Sequence, residues 1–391
     1  MSETLRGNWN YPTAIRFGAG RIAELPEACR SLGMTRPLLV TDAGLAKLPM
    51  TGAMLESCRS AGLPAELYAD VRPNPVGQDV ERGVEAYRAG GHDGVIAMGG
   101  GSGLDAAKAI ALMVGQTRPL FEFEDRADWW TRVDTAGMAP VVAVPTTAGT
   151  GSEVGRASVI TDESDHTKKI IFHPRMLPAL VIADPELTLG LPAHITAAVG
   201  MDALSHALEA YCSPAYHPIA QGVALEAIRL VKEWLPKAVR DGRDIAARSH
   251  MMVASTMGAT AFQKGLGAMH SLSHPCGALL DTHHGLTIAV VMPYVLAFNR
   301  PAIADRLTAL ARYLDLPNPS FEAVLDWVLA LRREVGIPDA LSAIGVEEKH
   351  VAELAPMAAR DPSCDGNPRP VDAAILGRLY QDAIGGRLSV A

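Results

Sequence analysis

Paired cysteines are absent from this chain of 391 residues. The five cysteines are an odd number, lie far apart and form no C-x-x-C pair. This spacing argues against a disulfide framework and is typical of reduced thiols in a cytoplasm. We therefore expect a cytoplasmic protein.

Runs of one charge and long apolar runs are also missing. No five consecutive like charges occur, and the net charge of -8 argues against a nucleic-acid surface. The N-terminal segment is polar, without the apolar core of a signal peptide. We find no apolar stretch approaching the roughly 20 residues that span a bilayer. We expect neither nucleic acid nor membrane as a partner.

The pattern of apolar residues changes near residue 187. Before it, short apolar runs at 37–41, 94–98, 140–145 and 179–183 alternate with helical patterns such as 22–32 and 104–114. Near-continuous apolar strands separated by helices are typical of a parallel sheet covered on both faces. After it, we find only helical patterns, at 196–211, 218–235, 245–262, 269–280, 301–314 and 321–335. The sequence predicts an α/β, Rossmann-like domain over 1–187 and an all-α domain over 188–391.

Two loops of small residues follow predicted strands. One is Gly99-Gly-Gly-Ser-Gly103, and the other is Thr146-Thr-Ala-Gly-Thr-Gly-Ser152. The first departs from the dinucleotide fingerprint, because Leu104 stands where the third glycine belongs. A glycine-rich turn without a ligand therefore stays an alternative. Loops at the carboxyl ends of parallel strands converge on one crevice, so together they favour nucleotide binding.

Histidines cluster in the predicted helical half. Asp202 and His206 are four residues apart, as are His270 and His274, and His283 precedes His284. Residues at this spacing share one face of a helix. Imidazole and carboxylate ligands suit a divalent ion such as Fe²⁺ or Zn²⁺. The pattern indicates a metal site but leaves open which histidines bind.

These motifs resemble the iron-containing (group III) alcohol dehydrogenase family along nearly the whole chain. The most specific matches are Gly200-Met-Asp-Ala-Leu-Ser-His206 and the stretch from His270 to Gly285. The resemblance implies a dehydroquinate-synthase-like fold, usually dimeric, with NAD and Fe²⁺, or Zn²⁺, as cofactors. It also implies interconversion of a small primary alcohol and its aldehyde.

The resemblance assigns roles to individual residues. The implied metal ligands are Asp202, His206, His270 and His284. His274 is the implied catalytic residue, a proton relay near nicotinamide and substrate, and His283 has no direct role. The implied cofactor-binding residues are Asp42, Asn74, Gly99, Gly100, Gly101, Ser102, Thr146, Thr147, Ser152 and Lys168. Because the carboxylate of Asp42 would repel a 2′-phosphate, NAD is expected over NADP.

Two cations depart from the pattern expected of members that act on simple alcohols. Arg156 follows the Gly-Ser-Glu153 motif, and Lys264 lies shortly before His270. Together they could clamp an anionic substrate, such as 4-hydroxybutyrate and succinic semialdehyde, or sulfoacetaldehyde. The alternative is that both are ordinary solvated or paired cations.

Two other functions are compatible with the same fold. One is a Zn²⁺-dependent polyol dehydrogenase of the glycerol type, and the other is a metal-dependent enzyme without redox chemistry. The full set of one Asp and three His weighs against the first. The presence of Asp42 and two phosphate-type loops weighs against the second.

Overall fold

The computed structural model describes residues 13–388. They form two compact units, the first ending at Gly190 and the second beginning at Leu191. The change in sequence pattern at residue 187 thus lies close to the end of the first unit.

The first unit is built on a parallel sheet flanked by helices. Its strands are β1 (Ala14–Phe17), β2 (Pro37–Asp42), β3 (Glu66–Val71), β4 (Gly94–Gly99), β5 (Val141–Pro145), β6 (Ala157–Asp162), β7 (Thr167–Phe172) and β8 (Leu180–Ala183). Its α-helices are α1 (Leu25–Ser31), α2 (Pro49–Ser60), α3 (Gly77–Ala89) and α4 (Gly101–Met113). Six strands pair in parallel in the order β1-β8-β5-β4-β2-β3.

The four predicted strands correspond to β2, β4, β5 and β8. Every residue of β4, β5 and β8 is buried, which explains their continuous apolar runs. The sequence did not reveal β1 and β3, which form the edges of the sheet and keep exposed residues. It also missed the antiparallel hairpin of β6 and β7, whose polar residues hide its pattern.

The strand order creates a crevice at the carboxyl end of the sheet. Strand β3 lies next to β2 toward one edge of the sheet, whereas β5 lies next to β4 toward the opposite edge, so the direction in which strands are added reverses between β2 and β4. Ligands of open α/β sheets bind outside the strand ends at such a reversal. The end of β2 at Asp42 and the end of β4 at Gly99 flank this point.

The described part of the second unit is helical. Its α-helices are α5 (Ala193–Cys212), α6 (Pro218–Arg240), α7 (Ile245–Ala261), α8 (Ala268–Leu280), α9 (His284–Tyr313), α10 (Phe321–Glu334), α11 (Val351–Arg360) and α12 (Ala373–Gly385). Helix α5 is buried along most of its length and packs against α6, α7 and α9. The predicted α/β unit followed by an all-α unit is confirmed.

Helix α9 corrects the predicted helix at 301–314. It begins at His284 and continues through Pro293 and Pro301 to Tyr313. Residues 287–297 are all buried, so this half has no amphipathic pattern, and Pro301 resembled a helix start. By length and composition, α9 could also cross a membrane. However, 72% of its apolar window is buried inside the protein, as in the core helix of many soluble proteins.

Candidate functional site

Three of the four predicted metal ligands form a buried cluster in the second unit. Asp202 and His206 lie one turn apart on α5, and His270 lies in the first turn of α8. One ligand atom from each lies within 4.8 Å of the others. The helical spacing in the sequence therefore produces the expected shared face.

The fourth predicted ligand lies beside this cluster. His284 is the first residue of α9, and its Nε2 lies 3.7 Å from Asp202 Oδ1. The His270 and His284 ring centroids are 5.5 Å apart. His283 instead accepts a hydrogen bond from the Leu286 backbone at the start of α9. The geometry thus separates the two adjacent histidines, which the spacing alone could not do.

Asp202 Oδ1 and His270 Nε2 in this cluster are fully buried and lack a hydrogen-bond partner among the residues the structure describes. A buried carboxylate oxygen and imidazole nitrogen without a partner are energetically unfavourable. A divalent cation would satisfy both, and the mixed nitrogen and oxygen donors suit Fe²⁺ or Zn²⁺. The residues present therefore fit a metal ion.

Polar groups behind the cluster hold two of the histidine rings. Glu209 Oε2 lies 2.6 Å from His270 Nδ1, and Ser273 Oγ lies 2.9 Å from His284 Nδ1. The predicted residues did not include Glu209 or Ser273. Both lie on the ligand-bearing helices, one turn from a ligand, and that spacing is the signal that could have identified them.

The predicted catalytic residue His274 has a carboxylate partner. Its Nδ1 lies 2.7 Å from Asp361 Oδ2, and its ring stacks on that of His284 at 5.3 Å. Burial would raise the pKa of Asp361, but the facing His274 and the Ser363 backbone N–H hold it at about 2. Asp361 is 87 residues away from His274 in sequence, so no local sequence pattern indicates this pair.

Close helix packing around the cluster requires two glycines. A Cβ on Gly285 would lie 2.5 Å from the Ala198 carbonyl oxygen, and a Cβ on Gly258 would lie 2.9 Å from that of Ala203. Both obstacles are backbone atoms of α5, which cannot rotate away. These glycines therefore let α7 and α9 approach the helix that carries Asp202.

The two small-residue loops of the first unit meet at the end of the sheet. Gly99 has a φ of +146°, a conformation that favours glycine. A Cβ on Gly100 would lie 3.2 Å from Thr147 Cγ2, and one on Gly101 would lie 2.8 Å from Thr150 Oγ1. Thr146 is buried, and its N–H donates to the Gly99 carbonyl. The loops thus converge at the N-terminus of α4, as predicted.

The remaining predicted cofactor residues lie around these loops. The Ser102 hydroxyl donates to the Pro73 carbonyl, and Lys168 donates to Asn74 Oδ1 at 2.8 Å. Asp42 ends β2, where its Oδ1 accepts from the N–H groups of Gly44 and Leu45. These contacts place a carboxylate at one end of the crevice and a paired lysine and amide beside the glycine loop.

A polar core lies beneath the loops. Ser152 Oγ donates to Asp105 Oδ1 at 2.5 Å, and Lys108 Nζ donates to the Ser152 carbonyl at 3.0 Å. Burial lowers the pKa of the Lys108 ammonium despite the facing Asp105. Because the Ser152 hydroxyl points into this core, we leave it out of the proposed cofactor contacts. The sequence signal for this core is the pair Asp105 and Lys108, two charged residues three positions apart in the otherwise apolar helix α4.

Lys264 is engaged inside the second unit. It is only 5% exposed, and its Nζ donates to the carbonyls of Ala210, Tyr211 and Ser213 at the end of α5. Burial and the neighbouring Arg306 lower the pKa of its ammonium to about 8. With these donors occupied, Lys264 caps a helix, and we do not retain it as part of an anion clamp.

Arg156, unlike Lys264, does not use its donors on the protein's own carbonyls in the described chain. Its guanidinium is half-buried and lies over the Phe172 ring at 5.5 Å. Burial lowers its pKa, and the charge of Asp125 acts in the opposite direction. The guanidinium makes no hydrogen bond or ion pair within 4 Å to any residue between 13 and 388. Within the described chain it is therefore a partly desolvated cation whose N–H donors have no acceptor.

Comparison with protein families identifies the class of protein. The model of the family "Iron-containing alcohol dehydrogenase" matches residues 12–185, and the C-terminal model of the Fe-containing alcohol dehydrogenase family matches residues 196–384. The chain therefore belongs to the iron-containing alcohol dehydrogenase family. The predicted resemblance and enzyme class are confirmed.

Individual relatives extend this assignment. A 4-hydroxybutyrate dehydrogenase from Cupriavidus necator is 39% identical over 96% of this chain and 99% of its own. A 1,3-propanediol oxidoreductase structure has a TM-score of 0.91 at 34% identity, covering 97% and 100% of the two chains. A sulfoacetaldehyde reductase from Bifidobacterium kashiwanohense, solved with NAD⁺, has a TM-score of 0.87 at 28% identity, covering 97% and 99%. The predicted cofactor pair of NAD and iron is confirmed for this family.

Proposed function

We propose that this protein is a metal-dependent, NAD(H)-linked dehydrogenase for a small primary alcohol with a carboxylate at its far end. The specific proposal is the interconversion of 4-hydroxybutyrate and succinic semialdehyde. The observation that carries it is the half-buried Arg156 guanidinium without a polar partner in the described chain. The name of the relative from Cupriavidus necator supports the same substrate.

The metal would be held by the buried cluster of the second unit. The proposed ligands are Asp202, His206, His270 and His284. When bound, a divalent ion supplies Lewis acidity that makes an alcohol oxygen easier to deprotonate near neutral pH, and NAD supplies the hydride acceptor. The protein contributes a buried donor set in which Asp202 Oδ1 and His270 Nε2 have no hydrogen-bond partner in the described chain and would be satisfied by the ion.

His274 is the proposed proton relay. Asp361 is ionised, so it can only accept, and His274 Nδ1 must donate to it. Nε2 is then the ring atom left to take up or release the substrate proton. An imidazole held in one orientation by a buried carboxylate is suited to general acid–base catalysis.

The crevice of the first unit is the proposed cofactor site. The glycine loop presents backbone N–H groups at the N-terminus of α4, a favourable place for a pyrophosphate. The proposed contacts are Asp42, Asn74, Gly99, Gly100, Gly101, Ser102, Thr146, Thr147 and Lys168. Asp42 would accept hydrogen bonds from the adenosine ribose, as acids do in this fold class.

Replacing Asp42 with Asn is expected to relax the preference for NAD. The side-chain oxygen that accepts from Gly44 and Leu45 is kept, so the turn after β2 should persist. Removing the negative charge should raise kcat/KM for NADP relative to NAD by about tenfold, equivalent to ~1.4 kcal/mol. Steady-state kinetics with both cofactors measure the ratio. An unchanged ratio would contradict a ribose-binding role for Asp42.

Replacing Arg156 with Gln tests the proposed substrate. A charge-assisted hydrogen bond is worth about 1.5–3 kcal/mol, so KM for succinic semialdehyde should rise about 10- to 100-fold. KM for butanal, which lacks the carboxylate, should not change.

The matched control is Arg175→Gln, which alters an exposed arginine in the short 3₁₀ helix after β7. It should leave both KM values unchanged. Equal KM values of wild type and Arg156→Gln for succinic semialdehyde would contradict the anionic substrate but keep the alcohol dehydrogenase.

We also propose a cytoplasmic homodimer. All five cysteines are unpaired, which is compatible with a reducing compartment. Light scattering on the purified protein measures the oligomeric state directly.

A further inference from the structure

Glu209 connects the two helices that carry most of the metal cluster. It lies on α5, one turn after His206, and is 6% exposed. Its Oε1 accepts from the Met269 N–H at 2.7 Å, and its Oε2 lies 2.6 Å from His270 Nδ1. Both carboxylate oxygens are therefore committed to the first turn of α8.

The contact with His270 fixes which ring nitrogen is available. A carboxylate only accepts, so His270 Nδ1 donates to Glu209 and Nε2 of a neutral ring keeps its lone pair. This Nε2 is the buried atom that lacks a partner in the described chain and lies in the cluster with Asp202 and His206. The hydrogen bond thus selects the tautomer that a metal ion requires.

The surroundings leave Glu209 little freedom. A Cβ on Gly267 would lie 3.0 Å from Glu209 Oε1 and 2.9 Å from Asn367 Oδ1. Asn367 Oδ1 accepts from the Ala268 N–H at 3.2 Å, so it caps the same helix end without touching His270. Capping the helix and orienting the ring are therefore separable, because Asn367 does only the first.

We propose that Glu209 is a positioning residue for the metal centre, which holds the His270 ring with Nε2 directed at the ion. This inference rests on the proposed metal-binding function. Outer carboxylates that orient a ligating histidine typically change metal affinity 10- to 100-fold when they are replaced.

Glu209→Gln is the informative variant. Glutamine keeps the shape and an oxygen for the Met269 N–H, but its amide group would face His270 and donate to Nδ1. Nε2 would then carry the proton and lose its lone pair. Competition between the metal-free full chain and a chelator for Zn²⁺ should show affinity reduced about 10- to 100-fold.

Two controls separate positioning from folding. Asn367→Ala should lower the melting temperature through the helix cap and leave Zn²⁺ affinity unchanged. In a His270→Ala background, Glu209→Gln should weaken Zn²⁺ binding no further, because its effect passes through that ring. Equal weakening with and without His270 would overturn the proposal.

Other outcomes are equally decisive. If Glu209→Gln does not fold, Glu209→Asp moves the carboxylate one methylene away from the ring and should also bind Zn²⁺ more weakly. Wild-type affinity in either folded variant would overturn the positioning role alone. A wild-type protein that binds neither Zn²⁺ nor Fe²⁺ would instead overturn the proposed metal-binding function.

Discussion

Asp202→Asn should abolish metal-dependent turnover, with a loss in kcat of at least about a thousandfold. The carboxylate is the single anionic donor among the four proposed ligands, and its Oδ1 lies 3.8 Å from His206 Nε2 and 3.7 Å from His284 Nε2. Lewis-acid stabilisation by a bound ion is worth several kcal/mol, so losing the ion removes most of the rate. Steady-state kinetics on protein with a measured metal content give the loss in kcat.

The same variant has a distinct signature in stability. Asp202 Oδ1 is buried without a hydrogen-bond partner among the described residues, so a neutral amide should be tolerated at least equally well when no ion is bound. The metal-free variant should melt no lower than metal-free wild type. Only the wild type should gain stability when Zn²⁺ is added, because ligand binding stabilises the folded state by mass action.

The control for Asp202→Asn is His283→Asn. His283 adjoins a proposed ligand but caps the start of α9, a position where Asn is also favourable. Its metal content and kcat should match those of the wild type. Full metal binding by Asp202→Asn would remove Asp202 from the ligand set.

Lys264→Met should destabilise the protein by about 2–3 kcal/mol without changing substrate preference. The substitution keeps the apolar stem but deprives buried carbonyls at the end of α5 of a donor. A buried polar group left unsatisfied costs about 1–3 kcal/mol, and Arg306 still reaches two of the three carbonyls. Denaturant unfolding of the metal-free protein measures the loss.

Lys237→Met is the control, because that half-exposed lysine contacts Glu233 and the Trp234 ring on the surface of α6 and should contribute less than about 1 kcal/mol. The ratio of kcat/KM for succinic semialdehyde to that for butanal should be the same in Lys264→Met and wild type. A selective loss with the anionic aldehyde would restore Lys264 to the anion clamp.

The metal cluster shows what local spacing can and cannot predict. The four-residue interval between Asp202 and His206 predicts a shared helical face, and the structure has it. The same interval between His270 and His274 predicts two ligands as readily as one. Their separation depends on Glu209 and Asp361, which lie 61 and 87 residues away from their respective histidines. Contacts at this sequence distance carry no periodic signal.

The two unusual cations illustrate a second limit. Arg156 and Lys264 both looked like surface residues or substrate ligands, and composition could not distinguish them. Lys264 is buried because its ammonium donates to carbonyls at the end of α5, where the helix itself supplies no further N–H donors. Arg156 has no such acceptors in the described chain. The two cations therefore differ in whether backbone carbonyl oxygens lie within reach of their N–H donors.

Gly258 and Gly285 have a consequence for redesigning this centre to favour another ion. Because each would place an added carbon against the main chain of α5, the helices cannot be spread by small changes of side-chain size. The ionic radius that the metal cluster accepts is therefore set by the spacing of the helix backbones. Replacing a ligating residue is the more accessible route. His284 is the ligand position with room for this, because its side chain is 26% exposed, whereas those of the other three ligands are 4% exposed or less.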